Sequence, residues 1–260
     1  LTEGRPSTRP STRASTPWRV LAWLAAHGPQ RLGAQDFARL AGLLLAATAV
    51  LAFAGLAGEV LEGETLAFDR AILLALRNPA DPADPIGPTW LEEVARDITG
   101  LGSHVILIGL TLAVTGYLAL IRKRAAALLV LASIGGGTAL SAGLKTLFQR
   151  PRPDLVPHAV EVYTASFPSG HAMLSAVTYL TLGVLIAQVE ARWRTRGYVL
   201  FLAILTTLLV GASRVYLGVH WPTDVLAGWC LGAAWALLCW LAALTLQRRG
   251  QVEPPDNTTP

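Results

Sequence analysis

Residues 166–189 read SFPSGHAMLSAVTYLTLGVLIAQV. After the first six residues comes an unbroken run, 172–189, without one charged side chain. About 20 such residues in a helix, rising 1.5 Å each, cross the roughly 30 Å hydrocarbon layer of a bilayer. The run is too long and too evenly apolar for a strand of a membrane barrel, which leaves a helix as the spanning structure. A histidine and a glycine at the mouth of such a helix need a reason, and the rest of the chain supplies it.

Five other runs are comparable. With 170–189 the predicted spans are 38–58, 103–121, 125–147, 170–189, 198–217 and 223–246. Composition agrees: 53% of the 260 residues are hydrophobic and 15% charged, against about 45–50% and about 25% in a typical soluble domain. The mean hydropathy is +0.47. The sequence therefore predicts an all-α, polytopic membrane protein with six transmembrane helices. Cys230 and Cys239 lie in one apolar run and read as small hydrophobes without disulfide or zinc spacing. Glycines in SIGGGTALSAG, 133–143, read as close helix packing.

Arginine and lysine set the orientation. Arg5, Arg9, Arg13, Arg19, Arg31 and Arg39 precede or open the first span, and Arg122, Lys123 and Arg124 separate the second from the third. Arg192, Arg194 and Arg196 separate the fourth from the fifth, and Arg248 and Arg249 follow the sixth. With six alternating spans all of these share one side, predicted to be cytoplasmic together with both termini. The opposite loops are 59–102, 148–169 and 218–222; the first holds nine acids against three arginines. A plasma (inner) membrane location follows, and no cleavable signal peptide is expected.

Three divisions are predicted: a disordered or interfacial segment 1–37, a six-helix domain 38–246 and a polar tail 247–260. Residues 1–17 are rich in Ser, Thr, Pro and Arg. WRVLAWLAAH, 18–27, reads as a surface helix on the inner side. In the first outer loop, TLAFDRAILLALRN and TWLEEVARDITG read as short interfacial helices. The proline-rich NPADPADPIGP between them reads as loop.

Three polar clusters fall at the outer ends of spans. KTLFQRPRP, 145–153, carries Lys145 and Arg152 against the positive-inside trend, and ionisable groups at membrane depth tend to be functional. PSGH, 168–171, places Ser169 as an N-cap and Gly170 where a ligand can approach the backbone, at a helix start suited to anions. SRVYLGVHWPTD, 213–224, sets His220 four residues before Asp224, with Arg214 upstream. A carboxylate there can hold one imidazole nitrogen and leave the other free to attack. Lys145, Arg152 and Arg214 together suit a multiply charged guest, and phosphate is the natural one. His220, backed by Asp224, reads as nucleophile and His171 as general acid. Arg150 reads as a surface or headgroup contact, and His27, His104 and His158 as incidental.

These stretches resemble the three-part signature of the type 2 phosphatidic acid phosphatase superfamily: Lys145, six residues, Arg152-Pro153; Pro168-Ser169-Gly170-His171; Ser213-Arg214, five residues, His220, three residues, Asp224. The resemblance implies a metal-independent, cofactor-free lipid phosphate phosphatase with an extracytoplasmic site. It implies that His220 forms a phosphohistidine, that Asp224 holds its ring, and that His171 protonates the leaving group and later activates water. It further implies that Lys145, Arg152, Ser169, Gly170 and Arg214 cradle the phosphate oxygens. The partners expected are the bilayer and a lipid phosphate, with no nucleic acid. Undecaprenyl diphosphate, phosphatidic acid and phosphatidylglycerol phosphate are the leading substrates. Rival readings are a phosphotransferase using the same site, a vanadate-dependent haloperoxidase, and a non-enzymatic lipid-binding or flipping protein.

Overall fold

The computed structural model describes residues 33–155 and 164–252. The segments expected to form the N-terminal tail and inner surface helix, His27, His158 and the last polar residues 253–260 lie outside these. The chain divides between Leu40 and Ala41, and the packing described here belongs to Ala41 onward.

Among the described residues eight helices and one small hairpin occur in the order α1 (Ala34–Glu62), α2 (Leu66–Ala75), β1 (Arg77–Asn78), β2 (Asp81–Pro85), α3 (Thr89–Gly100), α4 (His104–Leu120), α5 (Arg124–Phe148), α6 (Gly170–Val189), α7 (Trp193–Tyr216) and α8 (Pro222–Arg248). Helices α1, α5, α6, α7 and α8 are each long and apolar enough to cross a bilayer. Helix α4 has 17 residues, a rise of about 25 Å, just short of the hydrocarbon thickness. Together with α3, to which it is joined at a 44° bend, it makes the sixth candidate span. The bend has local causes. Ser103 caps α4 by accepting the Ile106 N–H at 3.4 Å. Gly102 is pressed so closely on α7 that an added Cβ would lie 2.5 Å from a Val210 methyl.

The segment between α1 and α4 carries both expected short helices, and α3 has the predicted limits. The proline-rich stretch differs from expectation, because β1 and β2 pair antiparallel there. Prolines remove N–H donors and keep the ladder short. Asn78 and Asp81 supply turns instead, accepting the Ala80 and Ala83 N–H groups at 3.1 and 2.9 Å. Buried Arg77 gives Nη2 to the Tyr216 carbonyl at 2.9 Å, and the Tyr216 hydroxyl donates to the Ile86 carbonyl at 2.9 Å. This fixes the hairpin to the end of α7.

Helix α6 is the centre of the bundle and packs most extensively on α7 and α8. Its contact with α8 is a small-residue seam, Gly228 and Gly232. A Cβ at Gly232 would lie 2.6 Å from the Met173 carbonyl oxygen, and one at Gly228 2.8 Å from the Ser169 oxygen. Close backbone approach of this kind is how helices associate in lipid, where burial of apolar surface supplies little. The same applies to part of the glycine run in α5: Gly136 lies against Trp235, and Gly137 against Val177 and Trp235, whereas Gly135 and Gly143 face open space. Outward faces are apolar, as lipid requires: Leu44, Leu51, Val105 and Leu120 are all exposed. Gly232→Ala is expected to destabilise the bundle by about 1–3 kcal/mol, since backbone must move. Its melting temperature in detergent should fall, while that of Gly143→Ala should not.

Candidate active site

The three polar stretches arrive at one end of the bundle from three helix junctions. Lys145 lies in the last turn of α5, Arg214 in the last turn of α7, and the PSGH stretch opens α6. His220 sits in the short connection to α8, and Asp224 in that helix's first turn. Backbone bonds join these parts: the Ser169 N–H donates to the Asp224 carbonyl, and the Ser166 N–H to the Arg150 carbonyl, both at 2.9 Å. The Phe167–Pro168 peptide is cis.

Asp224 is fully buried and its carboxylate is the hub. Oδ2 accepts the Trp221 N–H at 2.9 Å, closing the start of α8 as a capping acid does. The same oxygen accepts from the Ser166 hydroxyl and lies 3.2 Å from His220 Nδ1. On the far edge of the ring, Nε2 lies 3.2 Å from Arg152 Nη1. A guanidinium only donates, so Nε2 is the acceptor and the ring proton sits on Nδ1, facing the carboxylate. Burial first, then the fields of Arg152, Arg214 and Lys145, hold this imidazole well below the ordinary histidine value of 6.5. His220 is therefore neutral, with its lone pair directed at the cations.

The cations are held mainly by neutral groups. Arg152 donates to the Val219 and Thr164 carbonyls at 2.7 and 2.8 Å. Lys145 Nζ donates to the Ala165 carbonyl at 2.6 Å. Arg214, only 3% exposed, donates Nη1 to the Thr99 hydroxyl at 3.0 Å, and its buried Nε has no partner. Among the described residues none of these three forms an ion pair with a carboxylate. Positive charge that is buried at Arg214 and half-buried at Lys145 and Arg152, with no carboxylate paired to it among the described residues, suits an anion.

Ser169 caps α6 through the Ala172 N–H at 3.5 Å. Gly170 lies beside Lys145, whose Cε would stand 3.4 Å from an added Cβ, an ordinary van der Waals distance. The first N–H groups of α6, those of Gly170 and His171 among them, have no intrahelical acceptor. His171 stands within electrostatic reach of Arg214, His220 and Arg152. All eight residues singled out from the sequence thus gather at one end of the bundle.

Four further side chains belong to the same cluster, and the sequence reading missed them. Arg150, expected at the surface, is instead buried, with Nη1 at 2.6 Å from Asp224 Oδ1 and Nη2 at 2.8 Å from Asp69 Oδ2. A guanidinium that touches two buried carboxylates is drawn inward, whatever its distance from the spans in sequence. Thr223 and Ser166 complete the shell, as does Asp69 on α2. A usable signal was present for Asp69: it lies at helical spacing with Ile72, Leu73 and Leu76 on the buried stripe. His104, read as incidental, meets His171 edge to face with ring centroids 6.4 Å apart.

The chain is similar to known proteins in sequence and in fold. Residues 126–248 match the PAP2 superfamily. The chain is 38% identical over 144 residues to phosphatidylglycerophosphatase B of Bacillus subtilis (strain 168), covering 55% of this chain and 70% of that protein. It is 40% identical over 82 residues to the undecaprenyl-diphosphatase of Sulfolobus acidocaldarius, covering 32% of each. The crystal structure of a transmembrane PAP2-type phosphatidylglycerolphosphate phosphatase from Bacillus subtilis superposes with a TM-score of 0.68 at 31% identity, covering 78% of this chain and 98% of that one. The chain belongs to the PAP2 superfamily.

Proposed function

We propose that this protein is an integral-membrane phosphohydrolase of lipid phosphates or diphosphates that works through a phosphohistidine at His220. The observation that carries this reading is the neutral imidazole of His220, its Nδ1 held by Asp224 and its Nε2 beside Arg152, in the field of Lys145 and Arg214. In the reaction the Nε2 lone pair forms a bond to phosphorus while the bond from phosphorus to the leaving oxygen breaks. His171 gives that oxygen a proton. Lys145, Arg152, Arg214 and the N–H groups of Gly170 and His171 stabilise the charge on the non-bridging oxygens. Water, deprotonated by the now neutral His171, attacks the phosphohistidine and releases phosphate. The arginine distribution puts this end of the bundle on the extracytoplasmic side of the plasma membrane, with the termini in the cytoplasm.

The names of the relatives support phosphatidylglycerol phosphate and undecaprenyl diphosphate as substrates; phosphatidic acid, suggested by the signature's resemblance alone, is a third. A lipid suits the surroundings too. An apolar hollow of about 380 Å³, lined by Leu110, Val114, Leu182, Leu185, Val199 and Leu202, lies between α4, α6 and α7, further along the bundle than the polar cluster, and suits a hydrocarbon chain.

The test is phosphate release by the purified protein from undecaprenyl diphosphate, phosphatidic acid, phosphatidylglycerol phosphate and lysophosphatidic acid, each measured without and with EDTA. Release from at least one, unchanged by EDTA, is expected. Activity that vanishes with EDTA and returns with magnesium would contradict the mechanism. Turnover seen only with an added lipid or sugar acceptor would make the protein a phosphotransferase.

A further inference from the structure

Asp69 lies outside all three signature stretches, on the outer-loop helix α2, yet it is fully buried. Its Oδ1 accepts the Thr223 N–H at 2.9 Å, and its Oδ2 accepts the Thr223 hydroxyl at 2.7 Å and Arg150 Nη2 at 2.8 Å. Arg150 also gives Nη2 to the Thr65 hydroxyl at 3.1 Å and Nη1 to the Thr223 hydroxyl at 2.9 Å. Its remaining bond, from Nη1, goes to Asp224 Oδ1 at 2.6 Å. One guanidinium is therefore shared between two buried carboxylates.

The sharing has an electrostatic consequence. Arg150 paired with Asp224 alone would cancel the charge that the imidazole needs beside it. With Asp69 on its other edge, the group of three carries one net negative charge, next to His220 Nδ1. When Nε2 bonds to phosphorus and the leaving oxygen departs with its electron pair, the ring keeps its Nδ1 proton and becomes cationic. The net charge of the group then opposes the new positive charge.

We propose that Asp69 is a positioning residue for the reaction at His220: through Arg150 it fixes the Asp224 carboxylate and keeps that carboxylate's negative charge available to the ring. This rests on the reading of His220 as nucleophile. It makes α2 part of the framework of the site.

Asp69→Asn keeps the side chain's size and an acceptor for the Thr223 N–H while removing its charge. Measured on the purified full chain with the fastest of the four lipid phosphates named above, kcat should fall about ten- to a hundredfold with KM within about twofold of wild type. Thr65→Val removes an uncharged acceptor from the same guanidinium, with no change in the net charge of the group, and should stay within about threefold of wild type. In an Asp224→Asn background, Asp69→Asn should lower kcat by no more than about a further threefold, because both act through one carboxylate. Equal losses in Thr65→Val and Asp69→Asn, or fully additive losses in the double variant, would make Asp69 a docking residue for α2 and overturn the proposal. Wild-type kcat in Asp69→Asn beside an inactive His220→Ala would overturn it alone. Turnover surviving in His220→Ala would overturn the nucleophile reading and this proposal with it.

Discussion

His220→Ala is expected to lower turnover of every lipid phosphate by about four orders of magnitude or more, because no covalent step remains. The side chain lies in a closed pocket of hydrogen bonds, Asp224 on one nitrogen and Arg152 on the other. No neighbouring group among those described can replace its directed lone pair. His171→Ala should behave differently. Its proposed work is to protonate a poor leaving group, so the loss should be large on an alkyl phosphate and small on p-nitrophenyl phosphate, whose leaving group needs no proton. His220→Ala should be inactive on both. Rapid quenching of the wild type with 32P-labelled substrate should yield protein-bound label that is labile to acid and stable to alkali, as expected of phosphohistidine, and His220→Ala should give none. Label persisting in that variant would transfer the nucleophile's role to another residue.

Much of this architecture was readable along the chain because lipid imposes strict local rules. Backbone polar groups must be satisfied within each helix, so spans announce themselves by length and apolarity. The predicted span 103–121 became His104–Leu120, and 125–147 became Arg124–Phe148. The signature residues were legible for a related reason: ionisable groups at the ends of spans are costly, and though a snorkelling side chain explains Lys145 taken alone, it does not explain Lys145, Arg152, Arg214, His171, His220 and Asp224 as a set. What could not be read were contacts between distant segments. Arg150 is separated from Asp69 by 81 residues and from Asp224 by 74, and nothing in FQRPRP says which of two arginines flanking one proline turns inward to acids and which lies beside His220. The hairpin was missed because proline content argues against strands in general, while here two short segments pair around side-chain turns. The α3–α4 bend depends on Gly102 meeting Val210, a tertiary contact invisible to helix periodicity.

Arg152→Ala carries the second large effect, and it separates two jobs that one guanidinium performs. Its Nη1 sits 3.2 Å from Nε2 of His220, so it is placed to bind phosphate oxygens beside the atom that attacks. Loss of one such donor should reduce kcat/KM by about a hundred- to a thousandfold. Arg152→Lys should recover only part of this, because an ammonium cannot reproduce the fork that reaches both the Thr164 and Val219 carbonyls and the site. The second job shows in pH dependence. After burial, Arg152 is the strongest influence holding His220 below 6.5. Removing it raises the imidazole toward that value, and a neutral nucleophile then requires a higher pH. The acid limb of kcat/KM, corrected for the substrate's own ionisation, should lie below pH 6.5 in the wild type and move upward in Arg152→Ala. A thousandfold loss with an unmoved acid limb would confine Arg152 to the substrate's oxygens. A downward move would contradict the arrangement itself, since taking away a neighbouring cation cannot make a histidine harder to protonate.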